Sequence, residues 1–403
     1  MHLFLLYQYI ITGLVIAFFF NFLINNFVFR KISNYTLPEN FKKTPPLVSI
    51  LIPARNEEFN IKRCIKSLLK QDYANIEILV LDDGSSDNTP LIVKNLEKID
   101  KRVKLFTGKP LKKGWLGKSY ACWQLSKYAK GEYLVFTDAD TIHFENSISS
   151  LMGTLIRNKL DALSAIPRQI MVSIHERLVV TWVHFGIMIL LPLILAKKSK
   201  NPLFATANGQ CLLFKSEVYE KIGGHKSIKN KILEDIHISK QVRRHGCSIM
   251  IFDASRSIHC RMYREFNQLI KGFSKFMFAA FDYQIVNITA VVLMISALFL
   301  FPFFFLPIGL FIFNWSYATT NLIIIQIFFI LTMRIIMAIR LRGRVTDSLL
   351  HPISMIYIIL ICINSIIQAK SSVGIPWKDR NYDVSKRNYL DSMGDNEHQK
   401  IYR

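Results

Sequence analysis

The stretch YLVFTDADT, Tyr133–Thr141, ends an apolar run on two carboxylates, Asp138 and Asp140, one alanine apart. In an extended chain, residues two apart point the same way, so this spacing aims both carboxylates at one point beyond the strand. Ligands of open α/β sheets collect there, at the carboxyl ends of strands. Two hard oxygen donors at one spot suit Mg2+ or Mn2+, which in turn can hold a diphosphate. The competing reading is an ordinary turn after a strand, where aspartate is common.

Other clusters carry related chemistry. PARNEE, Pro53–Glu58, follows an earlier apolar run and offers Arg55 to a phosphate and Glu57 to a base. Equally, Asn56 caps the next helix, with Glu57 and Glu58 favourable in its first turn. Asp82 and Asp83 close another apolar run before Gly84 and Ser85, where a carboxylate can accept hydrogen bonds from a base or ribose. An Asp-Gly turn is the bland alternative. GWLGKS, Gly114–Ser119, sets Lys118 at a helix start after two glycines, without the spacing of a P-loop. It reads as a basic loop closing over phosphate, or as an exposed loop lysine. LEDIH places Glu234 and Asp235 at another helix start, with Asp235 as the general base for an acceptor hydroxyl or a first-turn acid. HCRMYRE adds Arg261 and Arg264, beside His259 and Tyr263, as ligands for diphosphate or for lipid headgroups.

The elements that must position these residues are legible as an alternation. LVSILIP (47–53), IEILVL (76–81), VKLF (103–106) and EYLVF (132–136) read as buried strands. Between them, helical spacing runs through Ile61, Cys64, Ile65, Leu68 and Leu69, through Ile92, Val93 and Leu96, and over residues 119–129. The pattern predicts an α/β domain with a mainly parallel sheet covered on both faces. Beyond it, residues 162–166 and 204–214 read as strands and residues 234–246 as a helix stopped by glycine.

The chain has 403 residues, 51% hydrophobic, with a formal net charge of +22. That length allows about two domains, or one domain and a membrane part. The apolar residues concentrate at 3–29 and from 285 onward. Residues 3–29 form an uncharged signal anchor, and Arg30, Lys31, Lys42 and Lys43 after it place the following domain in the cytoplasm. Spans are predicted at 285–313, 317–339 and 349–369. Three crossings conflict with the charge rule, because they put the basic tail with Lys378 and Arg380 outside. A re-entrant last segment, which contains Pro352, would resolve the conflict. Residues 178–196 are apolar too, and read as an amphipathic segment at the membrane surface or over the site, with a further membrane span as the alternative. The basic excess suggests anionic lipid or substrate, while no nucleic-acid motif is present. The six cysteines form no C-x-x-C pair and read as reduced structural thiols.

PARNEE, DDGSSDNT, FTDADT, GQCLLFKSEVYEKIGG and LEDIHISKQVRRHG, in this order, resemble the family-2 inverting glycosyltransferases of GT-A fold, over about residues 45–270. The resemblance implies a cytoplasmic GT-A domain, an anchor at 1–30, a membrane region at 283–370 and a polar tail at 371–403, in a multi-pass protein of the cell membrane. It implies a nucleotide-sugar donor, UDP-glucose first, and Mg2+ or Mn2+ at Asp138 and Asp140. Donor binding falls to Pro53, Arg55, Glu57, Asp83, Lys118, Asp138, Arg261 and Arg264, and the catalytic base to Asp235. GWLGKSYACWQL, GGHKS, the RMY of HCRMYRE and WKDRNY resemble membrane-attached bacterial glycosyltransferases of carotenoids, which implies a lipophilic hydroxyl or carboxyl acceptor.

Transfer to polyprenyl phosphate and processive polysaccharide synthesis are the alternatives. Processive synthases carry Q-x-x-R-W well downstream of the base. Here Gln241–Arg244 is followed by His245 and lies on the helix of Asp235. A non-enzymatic membrane transporter or scaffold is opposed by the intact set of carboxylates.

Overall fold

The computed structural model describes residues 2–281, 283–370, 375–377 and 380–382. It divides into two compact units. One comprises Ile24–Ile170 and Leu191–Met262, and the other Met1–Leu23, Met171–Leu190 and Tyr263–Arg403.

The first unit is built on strands β1 (Val48–Ala54), β2 (Ile76–Asp82), β3 (Val103–Thr107), β4 (Tyr133–Thr137), β5 (Thr141–His143), β6 (Ala162–Ile166), β7 (Arg168–Gln169), β8 (Cys211–Lys215), β9 (Ile249–Asp253) and β10 (Ile258–Cys260). Seven of them form one sheet in the order β3-β2-β1-β4-β8-β6-β9. The pairs β1–β2, β1–β4, β2–β3 and β6–β9 are parallel, and β8 runs antiparallel to both its neighbours. β5, β10 and β7 make a second, small sheet.

Continuous apolar strands arise because both faces are covered. Ile50, Ile52, Ile78, Val80, Val135 and Leu213 pack on one face against helices α1 (Ile61–Leu68), α2 (Thr89–Ile99) and α4 (Ser147–Arg157). Leu51, Leu79, Leu81, Leu134, Phe136 and Leu212 pack on the other, with Ala121 and Leu125 of α3 (Gly117–Ser126) and Ile238 and Val242 of α5 (Glu234–Arg244). α5 stops at Gly246, whose φ of +75° suits the glycine after a helix end.

The strand expected over 204–214 is shorter, Cys211–Lys215. Pro202–Phe204 forms a turn capped by Asn201, and the segment after it finds side-chain partners instead of a neighbouring strand. The N–H groups of Asn208, Gly209 and Gln210 donate to Ser164 Oγ, Asp235 Oδ2 and Asn208 Oδ1 at 2.7, 2.9 and 3.0 Å. The apolar stretch at 178–196 is also not one element. It divides at Leu191–Pro192 between helices Ile174–Leu190 and Leu193–Lys198, and proline has no N–H with which to continue the helical ladder.

In the second unit, the described residues contain helices long and apolar enough to cross a membrane at Ile285–Phe313, Tyr317–Arg340 and Val345–Gln368, and another begins the chain at His2–Val28. Ile285–Phe313 contains Pro302 and Pro307 and relaxes into wide turns at Ser296–Leu300 and Gly309–Phe313. Gln326 Nε2 donates to Gln8 Oε1 and Thr12 Oγ1, both at 2.9 Å, joining two of these helices by polar contacts. Of the expected basic tail, Lys378 and most of 371–403 lie outside the described residues. The backbone is described only at the short strands Ile375–Trp377 and Arg380–Tyr382.

Candidate active site

β4 ends at Thr137, and the chain turns immediately. Thr141 N and Thr141 Oγ1 both donate to Asp138 O, at 3.2 and 2.8 Å. Asp138 and Asp140 therefore sit on a turn at the strand's carboxyl end, and strand alternation does not set their directions. The turn rests on a buried network. Thr137 Oγ1 donates to Gln210 O at 3.0 Å and Thr141 Oγ1 to Asp138 O, so both hydroxyl protons are spent. His143 Nε2 lies 3.0 Å from Thr137 Oγ1 and 3.2 Å from Thr141 Oγ1. Its Nδ1 lies 3.1 Å from Ser147 Oγ, which donates to Gln71 Oε1 at 2.9 Å. Burial pushes His143 down to about 3, so the imidazole is neutral.

Lys118, the second residue of α3, bridges two distant acids. Its Nζ is 2.7 Å from Asp138 Oδ1 and 2.9 Å from Glu234 Oε1, and each side chain keeps less than a third of its surface open, at 24%, 27% and 14%. Burial alone would lower the Lys118 ammonium, but the charges of Asp138 and Glu234 hold it well above its usual value. Gly209 makes room for this cluster. A Cβ there would lie 3.1 Å from Glu234 Oε1 and 3.3 Å from Lys118 Nζ. Asp235 Oδ2 accepts the Gly209 N–H at 2.9 Å, and Oδ1 accepts its neighbour's N–H, from Ile236, at 2.8 Å. Burial and then the Glu234 charge still push Asp235 up to about 7.

Asp140 is pushed up to about 7 as well, by burial first and then by the charges of Asp138 and Glu57. Its Oδ1 is buried with no hydrogen-bond partner. Asp138 is raised by burial, against the pull of Lys118. Among the described residues no three His, Cys, Asp or Glu side chains converge as a ready-made metal cage.

The two nucleotide-side loops are interlocked. Arg55 Nη1 donates to Asp83 O. Asn56 N donates to Ser85 Oγ at 2.9 Å, Ser86 N to Asn56 Oδ1 at 2.8 Å, and Glu57 N to Thr89 Oγ1 at 2.7 Å. Asn56 thus fastens one loop to the other, and Asn60 precedes α1 in its place. Pro53 faces Leu81 of β2, beyond Leu51, where the β4 pairing ends, so that pairing does not need the missing N–H. Arg261 follows β10, whose last residue Cys260 pairs with Thr141, the residue after Asp140. Arg264 belongs to the other unit. The Lys118–Glu234 bridge, Gly209 and the His143 network are absent from the sequence reading. The D-A-D-T-I-H spacing is the one local signal for the last.

Residues 49–223 match the sequence model of Glycosyl transferase family 2. Over those residues the chain is similar to the family-2 glycosyltransferases. Glu234 and Asp235 lie beyond the matched residues. A 4,4'-diaponeurosporenoate glycosyltransferase of Staphylococcus haemolyticus is 28% identical over 58% of this chain and 61% of its own length. A UDP-Glc:alpha-D-GlcNAc-diphosphoundecaprenol beta-1,3-glucosyltransferase of Escherichia coli is 41% identical over 28% of this chain and 43% of its own length. The chain thus spans less than two thirds of each of these relatives. The solved structure of a Pyrobaculum calidifontis mannosyltransferase, in complex with GDP-Man and Mn2+, superposes with a TM-score of 0.54 at 16% identity, over 91% of this chain and 100% of that one. The first unit has the GT-A type of fold, a mixed and mostly parallel sheet between helical layers.

Proposed function

We propose that this protein moves a sugar from a nucleotide-sugar donor, UDP-glucose first, onto a lipophilic acceptor at the cytoplasmic face of the cell membrane, inverting the anomeric centre. The observation that carries the proposal is the Lys118 bridge. It brings Asp138, at the end of β4, beside the Glu234–Asp235 start of α5. A donor-holding carboxylate and a base are thereby within one cluster.

Asp138 and Asp140 fit Mg2+ or Mn2+. They are partly buried acids whose mutual repulsion a cation relieves, and Asp140 Oδ1 lacks a hydrogen-bond partner. Such ions take one or two carboxylates and complete their shell with phosphate and water. Bound there, the ion would offset the charge of the departing diphosphate.

The chain's own residues do the rest. Lys118 exchanges a carboxylate for a diphosphate oxygen, and Arg261 adds a second cation; Arg264 is the further candidate. Arg55, Glu57 and Asp83, with Pro53 near the end of β1, hold the nucleoside. Asp235 takes the proton of an acceptor hydroxyl while that oxygen bonds to the anomeric carbon. The carbon–diphosphate oxygen bond breaks in the same step, and its electrons leave with the nucleotide. A carboxylate acceptor arrives ionised and needs no base.

The apolar helices and the names of both relatives support a lipophilic acceptor. The carotenoid reading is preferred because its relative matches over more of the chain, 58% against 28%. A polyprenyl-diphosphate-linked sugar is the second reading. The test is transfer of label from UDP-glucose to extracted lipids by the detergent-purified full chain, with mass spectrometry of the product. No labelled lipid with any nucleotide sugar would refute the proposal.

A further inference from the structure

Within the membrane unit, helices Ile174–Leu190 and Tyr317–Arg340 meet the turn Val345–Leu350 at a charged cluster. Arg177 Nη1 pairs with Asp347 Oδ1 at 2.7 Å. Arg334, only 5% exposed, donates from Nη2 to Thr181 Oγ1 at 3.2 Å, and its guanidinium lies 5.3 Å from the Phe185 ring centre. The Nε groups of both arginines are buried without a hydrogen-bond partner. His351 contacts the same Phe185 ring and spends Nε2 on Phe299 O at 3.0 Å, so it supplies no anion. Glu176 is turned back onto Val172 N and Ser173 N at its own helix start.

Inside a bundle of apolar helices, Arg177 is thus ion-paired with Asp347, while Arg334 feels that aspartate's charge without an ion pair to it. Buried charge is costly unless it is paired, and ionisable groups at membrane depth commonly mark a ligand or ion path. Guanidinium donors form a planar fork that matches carboxylate and phosphate oxygens.

We propose that Arg334 and Arg177 hold one oxyanion, a carboxylate or phosphate, carried on a hydrophobic chain. The cluster's surplus positive charge selects the anion, and the surrounding apolar helices select its tail. The inference rests on the membrane reading alone, and sugar transfer plays no part in it.

The test is native mass spectrometry of the full chain in neutral detergent, titrated with phosphatidylglycerol, phosphatidylcholine, oleate and methyl oleate. The wild type should retain one phosphatidylglycerol or one oleate, preferred by about tenfold over the uncharged or zwitterionic counterpart, as one charge-assisted hydrogen bond would give. Preference for phosphatidylglycerol assigns the source to a bilayer headgroup, and preference for oleate to a free lipophilic acid. Arg334→Leu should abolish the preference, and Arg334→Lys should keep part of it. Asp347→Asn removes the internal competitor and should strengthen retention. The proposal fails if folded Arg334→Leu and Arg334→Lys both bind like the wild type, or if Asp347→Asn weakens retention, as a purely structural clamp would. It fails equally if charged and uncharged probes are retained alike.

Discussion

The Lys118 ammonium lies 2.7 Å from Asp138 Oδ1. In the proposed mechanism, this lysine supplies charge that a metal ion would take over during turnover. Lys118→Met should leave Asp138 facing Glu234 without a cation between them. The variant should melt lower than the wild type without metal, yet gain more from Mn2+, since the ion takes over the missing charge. Donor KM should rise by about tenfold or more, the worth of a hydrogen bond to a charged group. Equal melting gains with Mn2+ in both proteins would disconnect Lys118 from the metal.

Asp140→Asn replaces an anionic oxygen donor by a neutral amide, which hard cations bind poorly. The variant should lose Mn2+ affinity and donor affinity together. The wild type should lose activity in EDTA and recover it with Mn2+ or Mg2+. Titration of Mn2+ by electron spin resonance reads the affinity directly. Full activity after exhaustive chelation would remove the metal from the mechanism.

The parts of the fold that could be read in the chain were those with local causes. β1, β2 and β4 announce themselves because Ile50 and Leu51, on opposite faces, are both buried. Asp138 and Asp140 were legible because they stop such a run. The Lys118–Glu234 bridge was not, since sheet order alone brings α3 and α5 together. β5 and β10 are three residues each, too short for any periodicity. Ala205–Gln210 passed for strand because its composition resembles one, while its backbone partners are side chains from β6 and α5.

Activity and stability should respond to pH in opposite directions. Burial and the Glu234 charge push Asp235 up to about 7, and Asp140 is pushed up likewise by burial and Asp138. An unfolded aspartate titrates near pH ~4, so between these values the folded protein holds more protons. Stability of the metal-free protein should be fullest in acid and decline as pH rises through about 7. Transfer to a hydroxyl should instead rise with an apparent midpoint near 7, because Asp235 must be ionised to act. Transfer to a carboxylate acceptor should lack that limb. A hydroxyl-transfer profile already flat above pH ~5 would place the base elsewhere.

The mechanism can be separated from its alternatives at Asp235 and Glu234. Both begin α5, but they are held differently: Glu234 is ion-paired to Lys118 at 2.9 Å, whereas Asp235 accepts backbone N–H groups from Gly209 and Ile236. A carboxylate tied to a lysine is a poor base. One held by neutral donors and raised toward 7 is a serviceable one. Asp235→Asn should cut turnover to a hydroxyl acceptor by about 10²–10⁴ with donor affinity nearly unchanged. Glu234→Gln should release Lys118 and act mainly on donor KM. A single base and no covalent intermediate require inversion, so an α-linked nucleotide sugar should give a β-linked product. The anomeric coupling constant of that product decides the matter. Retention would end the single-base mechanism whatever the two variants did.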